Sequence, residues 1–194
     1  MFAWGLAMPN TIYSKNKNAG MTFIEVLIAL VIIVTGILGA VGMQAMAKQA
    51  SFDAMQRSLA SSLAEDILSR MRANSPAALA NYADNGVVYG QGNYLEPNQR
   101  CNNSGVDCTV NEIRINDQFE WDLALMGGNV LSANNDRVGG LINATGCITV
   151  VGSNVTVVVS WEGRAETIDA TKDANCGPAA QGKRRQVLVQ AFII

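Results

Sequence analysis

Residues 26–47 carry no charged side chain, and a single carboxylate, Glu25, stands at the start of that run. At about 1.5 Å per helical residue the run reaches roughly 33 Å, enough to cross the hydrocarbon core of a bilayer. A carboxylate carried into such a segment costs on the order of 2.5 to 3.5 kcal/mol at the membrane centre and less near the interface. Glu25 therefore calls for a partner and a task. Snorkelling to water at the interface is the competing reading.

The rest of the chain has to fit around that run. With 194 residues there is room for one spanning helix and one globular domain of ordinary size. The side chains give 14 Lys+Arg against 16 Asp+Glu. Residues 1–20 hold two lysines and no acid, so without them the balance is 12 against 16, or −4. That surface offers nothing for a phosphate backbone, and no nucleic acid is expected as a partner. The absence of histidine removes the usual general base and the commonest transition-metal ligand, so neither an enzyme nor a cofactor is expected.

All four cysteines, Cys101, Cys108, Cys147 and Cys176, lie beyond the apolar run. An even number on one side of a membrane reads as two disulfides in an oxidising compartment. A zinc site is the rival, but close C-x-x-C pairs are missing and no metal is expected. Three connectivities are open. The pairing Cys101–Cys108 with Cys147–Cys176 closes the shorter loops and is the one expected. Lys15 and Lys17 put the N-terminus in the cytoplasm, which leaves the cysteines on the far side, so the two signals agree. An ordinary secretory signal has an apolar core of about 7 to 15 residues and a small-residue cleavage site, and this run is too long for one.

Gly20 followed by Met21-Thr22-Phe23-Ile24-Glu25-Val26-Leu27-Ile28-Ala29-Leu30 resembles the class III signal of type IV prepilins and pseudopilins. The resemblance implies that a membrane aspartyl peptidase cuts between Gly20 and Met21, that the new terminus at Met21 is N-methylated, and that the apolar helix is retained. Glu25 is then the fifth mature residue, a counter-charge for a terminal amine, usually that of a neighbouring filament subunit. An ion pair of this kind fixes register more than it adds net stability. Met21 stands where many members have Phe, and the leader is long; a start at Met8 would shorten it. The proline many pilins carry in this region is absent between Pro9 and Pro76, so no kink is expected there. Gly36, Gly39 and Gly42 suit close helix approach or local unwinding after assembly, although glycine is common in membrane helices generally.

After residue 47 the chain becomes polar without losing helical period. Met55, Leu59, Leu63, Ile67 and Met71 recur every fourth residue, and Asn74-Ser75-Pro76 reads as the stop. The expectation is one helix over residues 22–73, about 52 residues and roughly 78 Å long. The segment from Ala64 to Asn74 is similar to the end of the first helix in the PilV minor pilins, the type IV pilus modification proteins. Trp121, the cysteine pattern and the length agree with that subfamily.

Residues 77–111 read as a long loop region held by Cys101 and Cys108. Asn116-Asp117 would cap a short helix over residues 118–126, with Phe119, Leu123 and Met126 on one face. The β-rich runs 147–151 and 155–161 form a hairpin about Gly152-Ser153-Asn154, and residues 186–194 supply a third strand. Val155, Val157, Val159 and Trp161 should face the spine helix. Phe192-Ile193-Ile194, apolar on both faces, puts the last strand inside the sheet or under a partner subunit. Asp169 and Asp173 suit calcium poorly, and Lys183-Arg184-Arg185 reads as a charged turn.

The expected fold class is therefore α+β: a long N-terminal helix packed on a small antiparallel sheet, the type IV pilin architecture. The organisation is a cleaved leader over residues 1–20, a transmembrane or filament-core half-helix over 21–47, an amphipathic spine over 48–75 and a disulfide-bonded periplasmic head over 76–194. The resemblance implies a minor pilin that primes assembly at the pilus tip and supports adhesion and twitching motility. Its partners would be prepilin peptidase, other minor pilins, the major pilin, the inner-membrane assembly platform and a tip adhesin. A minor pseudopilin of type II secretion and a membrane-anchored periplasmic binding protein are the alternatives. The chain would sit in the bacterial inner membrane before assembly and in the pilus afterwards.

Overall fold

The computed structural model describes residues 20–83, 86–102, 105–128, 130–134, 138–166, 173, 175–177 and 182–194. The leader up to residue 19 and Asp169 lie outside the described residues. The element order is α1 (Phe23–Ala73), a 3-10 turn (Pro76–Tyr82), α2 (Val110–Leu125), β1 (Thr145–Val151), β2 (Asn154–Glu162) and β3 (Arg184–Phe192). Two compact units divide the chain, one ending at Met46 and one spanning Ala47–Ile194.

Helix α1 contributes to both units and runs 51 residues without a break, through Gly36, Gly39 and Gly42. Its buried residues are Gln56, Ala60, Leu63, Ala64, Ile67, Leu68 and Met71. Leu63, Ile67 and Met71 of the expected stripe are among them, but Met55 is 59% exposed. A strict spacing of four advances 40° further than a whole turn at each step, so Met55 lies about 160° around the cylinder from Met71. The face that packs follows spacings of three and four instead.

The sheet is antiparallel in the order β1-β2-β3. Val155, Val157, Val159 and Trp161 share one cluster with Leu63, Ile67, Met71, Tyr82, Tyr89 and Trp121, so the inner face of the sheet and the spine close one core. Each large apolar side chain buried there contributes about 1.5–3 kcal/mol. β3 occupies an edge of the sheet, not its interior. Ile193 is buried, whereas Phe192 and Ile194 are exposed.

Between spine and sheet the structure departs from the expected loop and short helix. α2 starts at Val110, eight residues before the expected Gln118. Thr109 and Glu112 form a capping box there: the Thr109 hydroxyl accepts from the Glu112 N–H, and the Glu112 carboxylate accepts from the Thr109 N–H at 2.8 Å. The fully buried apolar residues of α2 are Trp121 and Leu125, while Phe119, Leu123 and Met126 are only partly buried. Tyr89 exchanges two 2.9 Å backbone hydrogen bonds with Gly146, and its ring stacks on Tyr94 and meets Trp121 edge-on. Gly146 is required at that crossing. A Cβ there would lie 2.5 Å from the Trp121 ring and 2.8 Å from Leu125.

Candidate functional site

The site begins at residues 20–25. Gly20 and Met21 lie exposed before the helix. Thr22 opens α1: its carbonyl accepts from the N–H groups of Glu25 at 3.1 Å and Val26 at 3.3 Å, and its hydroxyl accepts from Glu25 N–H at 3.4 Å. Thr22 was missed as a capping residue, though Thr22-Phe23-Ile24-Glu25 has the same T-x-x-E spacing as Thr109 to Glu112. A carboxylate in the first turn also faces the positive end of the helix. At α2 both halves of the box are closed, but at α1 the Glu25 side chain meets no donor among the described residues.

Over residues 26–47 the helix surface is apolar and exposed on every side. Leu30, Ile33, Leu38 and Val41 are among a long series of uncovered aliphatic side chains. The best window of α1 has a mean hydropathy of 2.8, and the helix is long and apolar enough to cross a membrane. Thr35 keeps its hydroxyl satisfied inside the helix by donating to the carbonyls of Val31 at 2.9 Å and Ile32 at 3.0 Å. A Cβ at Gly36, Gly39 or Gly42 would meet nothing within 4 Å. Nothing among the described residues uses the room those glycines leave.

The head carries a second group of polar residues, built where the spine, α2 and the cysteine loop meet. Arg70 donates to Asp66 at 2.9 Å, Glu120 at 2.7 Å and Asp117 at 3.4 Å. Arg100 donates to the other oxygen of Glu120 at 2.8 Å, to Glu96 at 2.9 Å and to Asn116 at 2.9 Å. Glu120 is thus clamped between two guanidiniums and holds the segment just before Cys101 onto α2. Burial pushes the Glu120 carboxyl up, but hydrogen bonds from Arg100, Arg70 and Asn116 outweigh it and leave the group below the usual Glu range. Asp117 goes the other way. Its burial outweighs the Tyr82 hydroxyl that donates to it at 2.7 Å and the Arg70 charge, so its carboxyl is raised. A cleft of about 480 Å³ beside this group is lined by Ser62, Asp66, Arg70, Arg100, Glu120 and Leu123, and its guanidiniums and acids are paired with one another.

Asp122 is raised by burial although it accepts backbone N–H bonds from Gly90, Gln91, Tyr94 and Gly92, which ties that loop to α2. Both disulfides are closed in the structure: Cys101–Cys108, seven residues apart, and Cys147–Cys176, 29 apart. The second is buried against Val158, with Leu188 beside it. Arg184 and Arg185 are not turn residues but part of β3. Arg184 donates to the carbonyls of Cys176 at 3.2 Å and Gly177 at 3.0 Å, and Arg185 to that of Ala165 at 2.9 Å. Asp173 donates its backbone N–H to the Gln186 side-chain oxygen at 3.0 Å, and its carbonyl accepts from the Gln186 side-chain N–H at 2.7 Å. No group of three or more His, Cys, Asp or Glu suited to a metal occurs among the described residues.

A long helix that is apolar throughout its first half and buries one face in its second, laid against a small antiparallel sheet, is the architecture of a type IV pilin. Two family models match the chain: residues 15–41 match the prokaryotic N-terminal methylation motif, and residues 42–119 match the family described as type IV pilin Tt1218. Over residues 15–119 the chain is thus similar to the type IV pilins and their N-terminal methylation motif. No curated protein and no solved structure gives a match.

Proposed function

We propose that the chain is a minor pilin of the PilV kind. In this reading it is cut between Gly20 and Met21, N-methylated at Met21, and built into a type IV pilus near the tip, where it primes assembly with other minor pilins. The observation that carries the reading is the contrast between the two T-x-x-E starts. Glu112 is spent on its own helix, while Glu25, with the same spacing, has a carboxylate with no donor among the described residues, at the head of an uncovered apolar helix. A carboxylate in that setting is matched by the terminal amine of a neighbouring subunit, and the exposed aliphatic surface by neighbouring helices. The assembly platform of the inner membrane, the major pilin and a tip adhesin are the further partners, and adhesion and twitching motility the outcome.

Glu25→Ala tests the role. Cleavage should be unaffected, and the amount of the chain recovered in sheared filaments should fall by about tenfold or more, the scale of one lost charge-assisted contact. Unchanged recovery would remove the paired-carboxylate role.

A further inference from the structure

The bond pattern of the β2–β3 ladder fixes which backbone groups of β3 face away from the sheet. Ile193 N–H donates to the Ser153 carbonyl at 2.9 Å and Gly163 N–H to that of Lys183 at 2.8 Å. In the antiparallel register, which opposes Phe192 to Asn154 and Arg184 to Glu162, these bonds make the odd-numbered residues of β3 the ones that bond to β2. The even-numbered residues, Arg184, Gln186, Leu188, Gln190 and Phe192, then point both N–H and C=O outward. The loop around Cys176 serves the Arg184 and Gln186 end of the strand. Toward the other end no backbone bond reaches Leu188, Gln190 or Phe192 among the described residues. Three donors and three acceptors stand in one row.

Natural sheets usually protect such an edge with lysine, proline, a bulge or a covering loop. Here residues 186–194 contain no charge and no proline, and the large apolar side chains exposed at this end are Phe192, Ile194 and, across the sheet, Val151. The opposite edge is treated differently, since Tyr89 caps Gly146 with a reciprocal pair of bonds. We infer that the β3 edge from Leu188 to Phe192 is a docking site for an extended strand of a different polypeptide, which joins the sheet as its fourth strand.

A row of alternating donors and acceptors is satisfied in full only by another extended backbone. On the outer face the incoming strand would place apolar side chains beside Leu188 and Phe192 and an uncharged polar one beside Gln190. A second copy offering its own β3 could pair only antiparallel, through a two-fold axis normal to the sheet. That operation reverses the spine part of α1, which packs on the sheet, in one copy relative to the other, whereas in the proposed reading every chain leaves the same membrane with its spine running in the same sense. The choice of a different polypeptide thus rests on the anchored pilin reading; the bare edge does not.

The test exploits the outward direction of Gln190 N–H. Gln190→Pro removes a donor that the β2–β3 ladder does not use, a position where an edge strand tolerates proline, and Gln190→Ala removes only the side chain. Full-length variants are produced in cells and their recovery in sheared filaments is compared. Gln190→Ala should stay within about twofold of wild type and Gln190→Pro fall about tenfold, with unchanged thermal unfolding of the purified chain. Equal recovery of the two variants overturns the inference. Hydrogen exchange on the wild-type chain needs no variant. The amides of Leu188, Gln190 and Phe192 should exchange fast in the purified chain and become protected in filaments, while Val187, Val189 and Ala191 are protected in both. Unchanged exchange in the assembled chain overturns the edge site, as does protection already acquired by self-association of the purified chain. A wild-type chain missing from filaments sinks the filament reading instead. The exchange comparison then moves to its membrane complexes, where unchanged exchange again overturns the edge site.

Discussion

Trp121 shows how much one side chain decides in this head. It is fully buried, donates its indole N–H to the Leu63 carbonyl at 2.8 Å, and lies against Gly146 and Tyr89. Trp121→Phe removes the donor and some volume, and should cost about 1–3 kcal/mol in urea unfolding of the full chain in detergent. Gly146→Ala drives a methyl into the same ring and should be destabilising by at least a similar amount. Glu120 gives the pH dependence. Its carboxyl is held below the ordinary value, so the stability it contributes is complete above the pKa of an unfolded Glu and is lost as pH falls through the lower folded value. The gap in Tm between wild type and Glu120→Gln should therefore be present near neutrality and close in acid. Asp117 and Asp122, both raised, carry the opposite sign. Their contribution is complete below the unfolded pKa and lost as pH rises through the folded one.

At the scale of elements, the disulfides differ in what they restrain. Loop-closure entropy assigns about 3.6 kcal/mol to Cys147–Cys176 and about 2.4 kcal/mol to Cys101–Cys108, whose separations are 29 and 7 residues. Replacing the first pair by serine should lower Tm more than replacing the second. Helix α1 and the three strands were legible in the sequence, because a charge-free run, a helical stripe and Val-rich alternation each report one element locally. The start of α2 was legible in principle through Thr109-Val110-Asn111-Glu112 but lay within a segment read as loop. Its packed face was not legible. Asn116, Asp117, Gln118 and Asp122 are buried beside Trp121 and Leu125 by hydrogen bonds to residues far off in sequence, and such polar burial leaves no hydrophobic period. The place of β3 was hidden for a related reason. Apolar residues on both faces suggest a central strand, but strand order follows from pairing, and Phe192 and Ile194 remain exposed at an edge.

For the whole molecule, the motif around Gly20, Met21 and Glu25 was the most legible feature of the candidate site, since it is contiguous and joins two contrasting compositions. The clamp of Arg70, Glu120 and Arg100 was the least, since it joins residues up to 50 positions apart. The division of labour is physical. Among its described residues the unit ending at Met46 buries nothing of its own, and the unit from Ala47 onward has a closed core, so the apolar half of the helix has to be covered by lipid or by other helices. In the proposed reading, processing after Gly20 converts one use into the other. The decisive measurement is mass spectrometry of the N-terminus of the protein isolated from its producing cells. The account predicts a chain that begins at Met21 with an N-methyl group and retains residues 26–47; a chain beginning at Met1, or cut after the apolar run, would contradict it.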